Sequence, residues 1–393
     1  MGRRVIFYVQ HLLGIGHLRR AATLTRAMSA AGLDVALVSG GHKVPGLDVG
    51  GGRLVQLAPT RATDLYFKVL VDENDQPIDD AWRAARRRQL MATWHEFRPH
   101  VLIFELFPFG RRQMRFELLP LLDASLAAPH RPVVVSSVRD ILVGQEKAAR
   151  NDEMLGLIET YFDHVMVHGD PQLVSFEETF VHAGRIADKL VYTGYAVDRG
   201  GQSGALGRPG HGPSPGPSHN EVIVSAGGGA VGLELLRTAI AARPATRLNH
   251  HRWRVLVGIK VPDSEHEALV RAAAPGIVVE RARPDFTTLI RNCALSISQG
   301  GYNTVFEVLD AGVRGVIVPY AGGIETEQTL RAARLAERGL VHVLAESELT
   351  PQALAATIDA AMDAPPTSTA GIDTGGNEKS AALIGGWADG TGW

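Results

Sequence analysis

The stretch SISQGGYNTVFEVLDAG runs from apolar residues through a glycine pair into an amphipathic segment. It predicts a strand, a tight turn at Gly300 and Gly301, and a helix that opens with Asn303 and Thr304. The first N–H groups of a helix lack partners inside the helix, so they form a natural site for a diphosphate. Glu307 lies one turn further in and could accept from both hydroxyls of a ribose. A carboxylate that only complements the helix dipole is the alternative.

A second glycine turn follows the apolar run EVIVSA. Gly227, Gly229 and Gly232 match the G-x-G-x-x-G fingerprint of dinucleotide sites, with Gly228 between them. The next predicted strand, RVLVGIK, ends without the acidic residue that would hold a ribose of NAD, so NAD binding is rejected. Two interpretations stay open, an anion cradle of backbone N–H groups and a tight packing turn.

A third glycine turn, QHLLGIGH, follows the first apolar run. Gly14 and Gly16 permit a close approach of the backbone to a ligand, and His17 opens the next helix. A helix N-terminus favours the neutral imidazole that a general base requires. A capping or packing histidine is the alternative.

Two carboxylates end predicted strands of the first half, Glu105 in HVLIFEL and Asp140 in SSVRDI. Either could serve as the base or could orient His17. Pairing with a nearby arginine, for example Arg111 or Arg139, is an equally good interpretation of each.

Glu327 and Gln328 begin a helix after the apolar run GVIVPY. Their side chains could bond sugar hydroxyls, or they could be ordinary surface residues of a helix start. No D-x-D motif stands beside either predicted site, so we expect no metal requirement and no cofactor.

Short β-branched runs alternate with helical patterns along the chain, which is typical of parallel sheets covered on both faces. Gly32, Gly312 and Gly339 are predicted helix ends, and Thr350 is a predicted N-cap with Pro351 at the first helical position. The predicted strands are RVIFYV, DVALVSG, RLVQLA, HVLIFEL, PVVVSSV, HVMVHG, KLVYTG, EVIVSA, RVLVG, IVVERA, ALSISQ, GVIVPY and LVHVLA.

The expected fold is α/β, with two doubly wound Rossmann-like domains facing across a cleft. The N-terminal domain, expected to bind an acceptor, spans residues 1–199, and a Gly-, Pro- and Ser-rich linker spans residues 200–220. The second domain covers residues 221–365. A flexible tail, residues 366–393, follows, and residues 377–388 are candidates for a short helix that packs back. Ligands of such folds lie at the carboxyl ends of the strands.

The composition sets limits on function. A chain of 393 residues with 45% hydrophobic and 21% charged residues suggests two globular domains. A net charge of −2 gives no overall attraction to nucleic acid. The lone Cys293, the absence of a signal peptide and the lack of an apolar run of about 18 residues predict a cytoplasmic protein.

The pattern S-x-G-G-x-N-T-x-x-E, followed by VPY and E-T-E-Q, resembles the nucleotide-sugar site of MurG-type glycosyltransferases of family 28, which have the GT-B fold. The segments SSVRDILV, HVMVHGDP and RIADKLVYTGYA resemble a group of predicted bacterial glycosyltransferases related to them. The resemblance covers both expected domains and excludes the linker and the tail.

The resemblance implies roles for individual residues. Glu307 would hold the ribose hydroxyls, and His17 would meet the acceptor and the α-phosphate. The remaining implied donor contacts are Gly300, Gly301 and Thr304 at the diphosphate, Glu327 and Gln328 at the sugar, and the backbone of Arg283 and Pro284 at the base.

The resemblance therefore predicts an inverting, metal-independent transfer of a sugar from a nucleoside diphosphate donor to an unknown acceptor. The expected donor is a UDP-sugar, with UDP-GlcNAc as one candidate. This chain departs from the pattern in two places. Gly227 and Gly228 replace polar side chains in the second turn. Glu327 precedes Gln328 where the family has two glutamines, which changes the expected hydroxyl preference.

Other functions remain open. The turn GIGHLRR also resembles UDP-sugar hydrolases of the pseudaminic acid pathway, although the extra length over residues 60–98 favours an acceptor site. A non-catalytic, two-lobed binding protein is a second alternative. The segment FELFPFGRRQMRFELLPLL could make a weak peripheral membrane contact, but a packed helix with a solvated basic face is the simpler expectation. Residues 83–88, RAARRR, are likewise expected to be solvated.

Overall fold

The computed structural model describes residues 2–64, 67–142, 148–200, 220–227, 231–322, 326–365 and 371–390. Gly228, Gly229 and residues 201–219 of the expected linker lie outside these ranges.

The elements alternate along the chain as the sequence predicts. The strands are β1 (Arg4–Val9), β2 (Asp34–Ser39), β3 (Arg53–Gln56), β4 (Arg61–Ala62), β5 (Leu70–Val71), β6 (Val101–Glu105), β7 (Val133–Arg139), β8 (His164–His168), β9 (Leu190–Tyr192), β10 (Glu221–Ser225), β11 (Arg252–Val257), β12 (Ile277–Arg281), β13 (Leu295–Ser298), β14 (Gly315–Ile317) and β15 (His342–Val343). The α-helices are α1 (Gly16–Ala30), α2 (Asp80–Phe97), α3 (Arg115–Leu126), α4 (Ala148–Tyr161), α5 (Leu233–Ala242), α6 (Asp263–Ala272), α7 (Phe286–Arg291), α8 (Tyr302–Asp310), α9 (Glu327–Glu337), α10 (Pro351–Asp363) and α11 (Gly376–Ala388).

The chain forms two compact units. Unit 1 comprises Met1–Ala196 together with Asp373–Trp393, and unit 2 comprises Val197–Ile372. Unit 1 contains a parallel sheet in the order β3-β2-β1-β6-β7-β8-β9, beside a small antiparallel pair, β4 and β5. Unit 2 contains a parallel sheet in the order β12-β11-β10-β13-β14-β15.

Both sheets are buried on both faces. In β1, Ile6 and Tyr8 belong to one apolar core, whereas Val5 and Phe7 belong to another. Unit 2 has the same alternation along β10. Each unit is therefore a doubly wound α/β domain, which confirms the predicted architecture. The strand order reverses between β1 and β6 in unit 1 and between β10 and β13 in unit 2, and ligand sites are expected at these two points.

The last helix of the described chain, α11, belongs to unit 1. Leu383, Ile384 and Trp387 share a core with Leu18 of α1. The Trp387 ring stacks on the imidazole of His164 at the start of β8, with centroids 4.1 Å apart and an interplanar angle of 9°. Most of residues 377–388, for which a short helix was one expectation, thus cover an apolar face of α1.

One arginine of the run RAARRR corrects the expectation that this run is solvated. Arg86 is fully buried, and its guanidinium donates to both carboxylate oxygens of Glu117 at 2.8 and 2.9 Å. The Tyr8 hydroxyl also donates to Glu117, at 2.5 Å. Arg86 donates further to the carbonyl of Gly40 and to Oε1 of Gln10. The buried charge therefore joins α2 to α3 and to the ends of β1 and β2, a non-local pairing that the sequence pattern does not reveal.

None of the helices within the described ranges has both the length and the apolar character that crossing a membrane would require.

Candidate active site

In unit 1, the predicted catalytic residues lie around the point where the strand order reverses. His17 is the second residue of α1, which follows the turn after β1, and Glu105 is the last residue of the neighbouring β6. A Cβ added to Gly14 would meet nothing within 4 Å, so the backbone of this turn is open to a ligand.

His17 and Glu105 are hydrogen-bonded to each other. Nδ1 of His17 lies 2.7 Å from Oε1 of Glu105, and the guanidinium of Arg20 donates to the same oxygen. An ionised carboxylate only accepts, so the imidazole proton is assigned to Nδ1. Nε2 then carries the lone pair. The pair has the arrangement in which a carboxylate orients a histidine base.

Burial sets the charge state of both groups. Loss of solvation lowers the pKa of His17 to about 3. The hydrogen bond to Glu105 raises this pKa, and the positive charge of Arg111 offsets part of that increase. Burial alone would raise the pKa of Glu105, but the charge of Arg20 and the hydrogen bond from His17 reverse this and lower it to about 2. At neutral pH the pair is therefore a neutral imidazole beside a carboxylate.

Glu105 pairs with an arginine, but with a different one from the candidates named from the sequence. Its arginine partner is Arg20, one turn after His17, while Nε of Arg111 donates to the carbonyl of Gln10 at 2.5 Å. Glu105 contacts both its arginine and the histidine, so the two interpretations hold together.

Asp140 follows directly after β7 and is fully buried. Its Oδ1 accepts the Ile141 N–H at 3.0 Å, and its Cβ lies against Gly169, the residue after β8. A catalytic role for Asp140 stays a prediction.

In unit 2, the glycine pair and α8 follow β13 at the point of strand reversal. The N-cap residue of α8 is Gly301, which has no side chain to cap the helix. Glu307 lies in the sixth position of this helix and is 6% exposed. Asn303 and Thr304 are half-buried in the first turn. The predicted diphosphate and ribose contacts therefore lie on one short helix.

Gly300 lies in close contact with α9. A Cβ at this position would lie 3.0 Å from the carbonyl oxygen of Gln328 and 3.1 Å from its Cβ, whereas a Cβ on Gly301 would meet nothing within 4 Å. The two glycines thus serve different purposes. Gly300 lets two elements approach, and Gly301 leaves the helix end open.

The buried side chain of Arg331 stabilises the contact between Gly300 and α9. Its buried guanidinium donates to the carbonyl of Gly300 at 3.1 Å and to Oε1 of Glu327 at 2.7 Å, and it lies over the Tyr302 ring. Glu327 is therefore buried in an ion pair with Arg331. Oε1 of Gln328 accepts the Tyr320 N–H at 3.1 Å, which leaves the side-chain NH2 group as its donor. Sugar contacts by Glu327 and Gln328 stay predictions.

The remaining predicted donor residues end two other strands of unit 2. Gly227 follows β10 with φ of 73°, in the left-handed region that favours glycine. Arg283 follows β12, and its guanidinium donates to both oxygens of Asp285 at 2.8 and 2.7 Å. This pairing occupies the Arg283 side chain and suits recognition by the backbone of Arg283 and Pro284.

Sequence reasoning missed four polar residues of these clusters, Arg20, Ser137, His168 and Arg331. Each is buried and contacts a predicted site residue or its neighbour. Arg331 lies four residues after its partner Glu327, whereas Arg20 and Ser137 lie far in sequence from Glu105. The sequence does contain one indication of this cluster, because His168 is a histidine at the end of an apolar strand. Among the described residues, no three His, Cys, Asp or Glu side chains come together as a metal site.

Known proteins resemble this chain in sequence and in fold. Residues 226–382 match the model of the glycosyltransferase family 28 C-terminal domain. The UDP-N-acetylglucosamine--N-acetylmuramyl-(pentapeptide) pyrophosphoryl-undecaprenol N-acetylglucosamine transferase of Sinorhizobium fredii (strain NBRC 101917 / NGR234) is 30% identical over 185 residues, 46% of this chain and 48% of the relative. The protein of the same name from Brucella anthropi is 32% identical over 142 residues, 35% of this chain and 38% of the relative. The chain thus matches about half or less of the length of these relatives.

Solved structures show the same fold over nearly the whole chain. The calicheamicin glycosyltransferase CalG4 aligns with a TM-score of 0.58 at 16% identity, covering 100% of this chain and 97% of that one. MurG of Acinetobacter baumannii aligns with a TM-score of 0.54 at 15% identity, covering 98% and 95%.

By its fold, the chain is a GT-B protein, as the sequence predicted. Residues 226–382 are similar to the glycosyltransferase family 28 C-terminal domain, and the fold of the whole chain is similar to that of MurG.

Proposed function

We propose that this protein is a glycosyltransferase that takes its sugar from a nucleotide-sugar donor. The match of residues 226–382 to a family 28 C-terminal domain carries the proposal, because that segment contains the turn at Gly300 and Gly301, helix α8 and Glu307. The relatives bear names that specify UDP-N-acetylglucosamine as their donor, which supports a UDP-sugar here.

The donor binds in unit 2. Its diphosphate lies at the amino end of α8, where backbone N–H groups and the helix dipole stabilise negative charge. Glu307 accepts from the ribose hydroxyls, and Gln328 donates to the sugar. Glu327, in its ion pair with Arg331, holds the first turn of α9 in place.

The acceptor hydroxyl is deprotonated by His17. Nε2 takes the proton as the acceptor oxygen bonds to the anomeric carbon and the bond from that carbon to the diphosphate breaks. Glu105 stabilises the imidazolium through Nδ1–H, while helix-end N–H groups stabilise the leaving diphosphate. A single displacement inverts the anomeric carbon, and the step calls for no metal.

A nucleotide-release assay tests the proposal. Purified protein is offered UDP-, dTDP- and GDP-sugars, with and without chelator, and with and without cell extract as a source of acceptor. We expect UDP release that depends on the extract and is unaffected by chelator.

Two results would contradict this reaction. Release at full rate without extract would favour the hydrolase alternative, to which the comparisons lend no support. Tight UDP binding with no release under any condition would favour a non-catalytic binding protein.

A further inference from the structure

A row of buried polar side chains continues behind Glu105, across the ends of the neighbouring strands. The Ser137 hydroxyl of β7 donates to Oε2 of Glu105 at 2.8 Å. Its oxygen lies 3.0 Å from Nε2 of His168, the last residue of β8. Nδ1 of His168 lies 2.9 Å from the hydroxyl of Thr193, which follows β9. All four side chains are fully buried.

The charge on Glu105 fixes the direction of every hydrogen bond in this row. The carboxylate only accepts, so Ser137 donates its hydroxyl proton to it. Ser137 must then accept from His168, whose proton lies on Nε2. Burial and the charge of Arg20 lower the pKa of His168 to about 3, so its imidazole is neutral and has a single N–H. Its Nδ1 then faces the Thr193 hydroxyl, whose proton is shared between this nitrogen and the carbonyl of Gly194, 2.9 Å away.

We propose that Ser137 and His168 are positioning residues that hold Glu105 against His17. This inference rests on the proposed role of His17 as the base. Oε1 of Glu105 orients the imidazole, and Oε2 is anchored by Ser137, which His168 holds in turn. With both oxygens hydrogen-bonded, the carboxylate is held in one orientation, so Nε2 of His17 keeps its lone pair for the acceptor proton.

The same strand offers a matched control. Ser136 is equally buried, and its hydroxyl donates to the carbonyl of Phe107 at 2.8 Å, outside the row. Ser137→Ala and Ser136→Ala therefore remove the same group from adjacent positions of β7. Ser137→Thr restores the hydroxyl.

Nitrogen-15 NMR of the histidine rings measures the arrangement without a substrate. We expect the Nδ1–H tautomer at His17 and the Nε2–H tautomer at His168 in the unaltered protein, with resonances assigned through His17→Gln and His168→Gln. In Ser137→Ala, His17 should become a mixture of tautomers, while Ser136→Ala should leave it unchanged. In the nucleotide-release assay, Ser137→Ala should lower kcat about 10²-fold with an unchanged donor KM, and Ser137→Thr should recover most of it.

The alternatives are distinguishable. An unchanged His17 tautomer in Ser137→Ala, or equal losses in the two alanine variants, would overturn the positioning role. The expected tautomers in a protein that releases nucleotide from no donor would overturn the proposed function and leave the positioning of His17 supported. All variants are compared at a temperature below their unfolding transitions, so that a difference in Tm between Ser137→Ala and Ser136→Ala does not affect the measured rates or tautomers.

Discussion

His17 remains neutral because burial dominates its surroundings. The carboxylate of Glu105 favours the charged imidazole, but the positive charges of Arg111 and Arg20 oppose it. Because the imidazole is neutral throughout the physiological pH range, it can accept a proton without first losing one. The imidazolium that forms during transfer would then be a short-lived state, stabilised by the hydrogen bond from Nδ1 to Glu105.

Replacing His17 tests the base directly. His17→Gln should lower kcat of nucleotide release by about 10² to 10⁴, the usual contribution of a positioned base, while UDP affinity stays unchanged. Titration calorimetry with UDP measures the affinity. His95→Ala, at an exposed position near the end of α2, is the control and should match the parent. Normal turnover by His17→Gln would refute the role.

Glu307→Ala tests the ribose contact. Two hydrogen bonds to a charged acceptor contribute about 1.5–3 kcal/mol each, so UDP affinity should fall at least about 10²-fold. Calorimetry with UDP measures it, and Tm confirms folding because Glu307 is buried. Glu337→Ala, on the exposed end of α9, should bind normally. Equal affinity in both variants would remove Glu307 from the site.

The lowered pKa of His168 makes stability depend on pH. The ring is neutral when folded down to about pH 3 but takes a proton near pH 6.5 when unfolded, so protonation favours unfolding as the pH falls. This group should cost about 1.4 kcal/mol of unfolding free energy per pH unit between about pH 6 and 4. His168→Gln should show a slope shallower by that amount in urea unfolding at pH 7, 6, 5 and 4. Parallel slopes would contradict it.

At the scale of elements, the proposed donor site lies where α8 and α9 meet. Gly300 allows the turn after β13 to touch the first turn of α9, and Arg331 links both through Gly300 and Glu327. The amino end of α8 is therefore oriented by a neighbouring helix as well as by its own strand.

The glycine pair offers a matched test of this junction. Gly300→Ala should lower Tm and UDP affinity, because the new methyl group meets the Gln328 backbone at 3.0 Å. Gly301→Ala should fold as stably as the parent, because its methyl group enters open space. Thermal unfolding compares the two. Equal Tm values would show that the contact between the turn and α9 is not tight.

Most elements could be predicted because their causes are local. The helix predicted to open at His17 and to stop at Gly32 is α1, which spans Gly16–Ala30. Gly312 and Gly339 have the positive φ of 66° expected after a helix. Thr350 caps α10 by accepting the Ala353 N–H, as the Thr-Pro pair indicated. Each of these features depends on neighbours within four residues.

Contacts between distant parts of the chain could not be predicted in this way. The sequence placed Glu105 at a strand end but could not pair it with Ser137, because that pairing depends on the order of strands in the sheet. Arg86 resembled its solvated neighbours, but in the fold its charge is paired with Glu117, 31 residues later, and it donates to Gly40 and Gln10 as well. Buried polar partners belong to the tertiary fold.

At the scale of the molecule, unit 1 is assembled from two separate segments. Residues 1–196 supply the sheet, and residues 373–390 supply the helix that covers α1. The helix that carries the proposed base in its first turn therefore packs against the last helix of the described chain.

Trp387→Ala tests this dependence. Truncating a buried tryptophan costs about 3–5 kcal/mol, and the stack on His164 is also lost, so unit 1 should unfold at a lower urea concentration. Hydrogen exchange should show lost protection in α1 and α11 with unit 2 unaffected. Lys379→Ala, an exposed position of the same helix, should resemble the parent. An equal loss of protection from hydrogen exchange in both units would contradict the assignment of α11 to unit 1.

Because unit 1 is formed by two separate segments of the chain, its folding during translation must follow an order. Domains commonly fold from the N-terminal end as they emerge, at about 5–20 residues per second. Here the closing helix is translated after the whole of unit 2, so unit 2 is complete in the nascent chain before unit 1 has all its parts. For an interval on the order of ten seconds or more, the apolar face of α1 is left to water or to a chaperone.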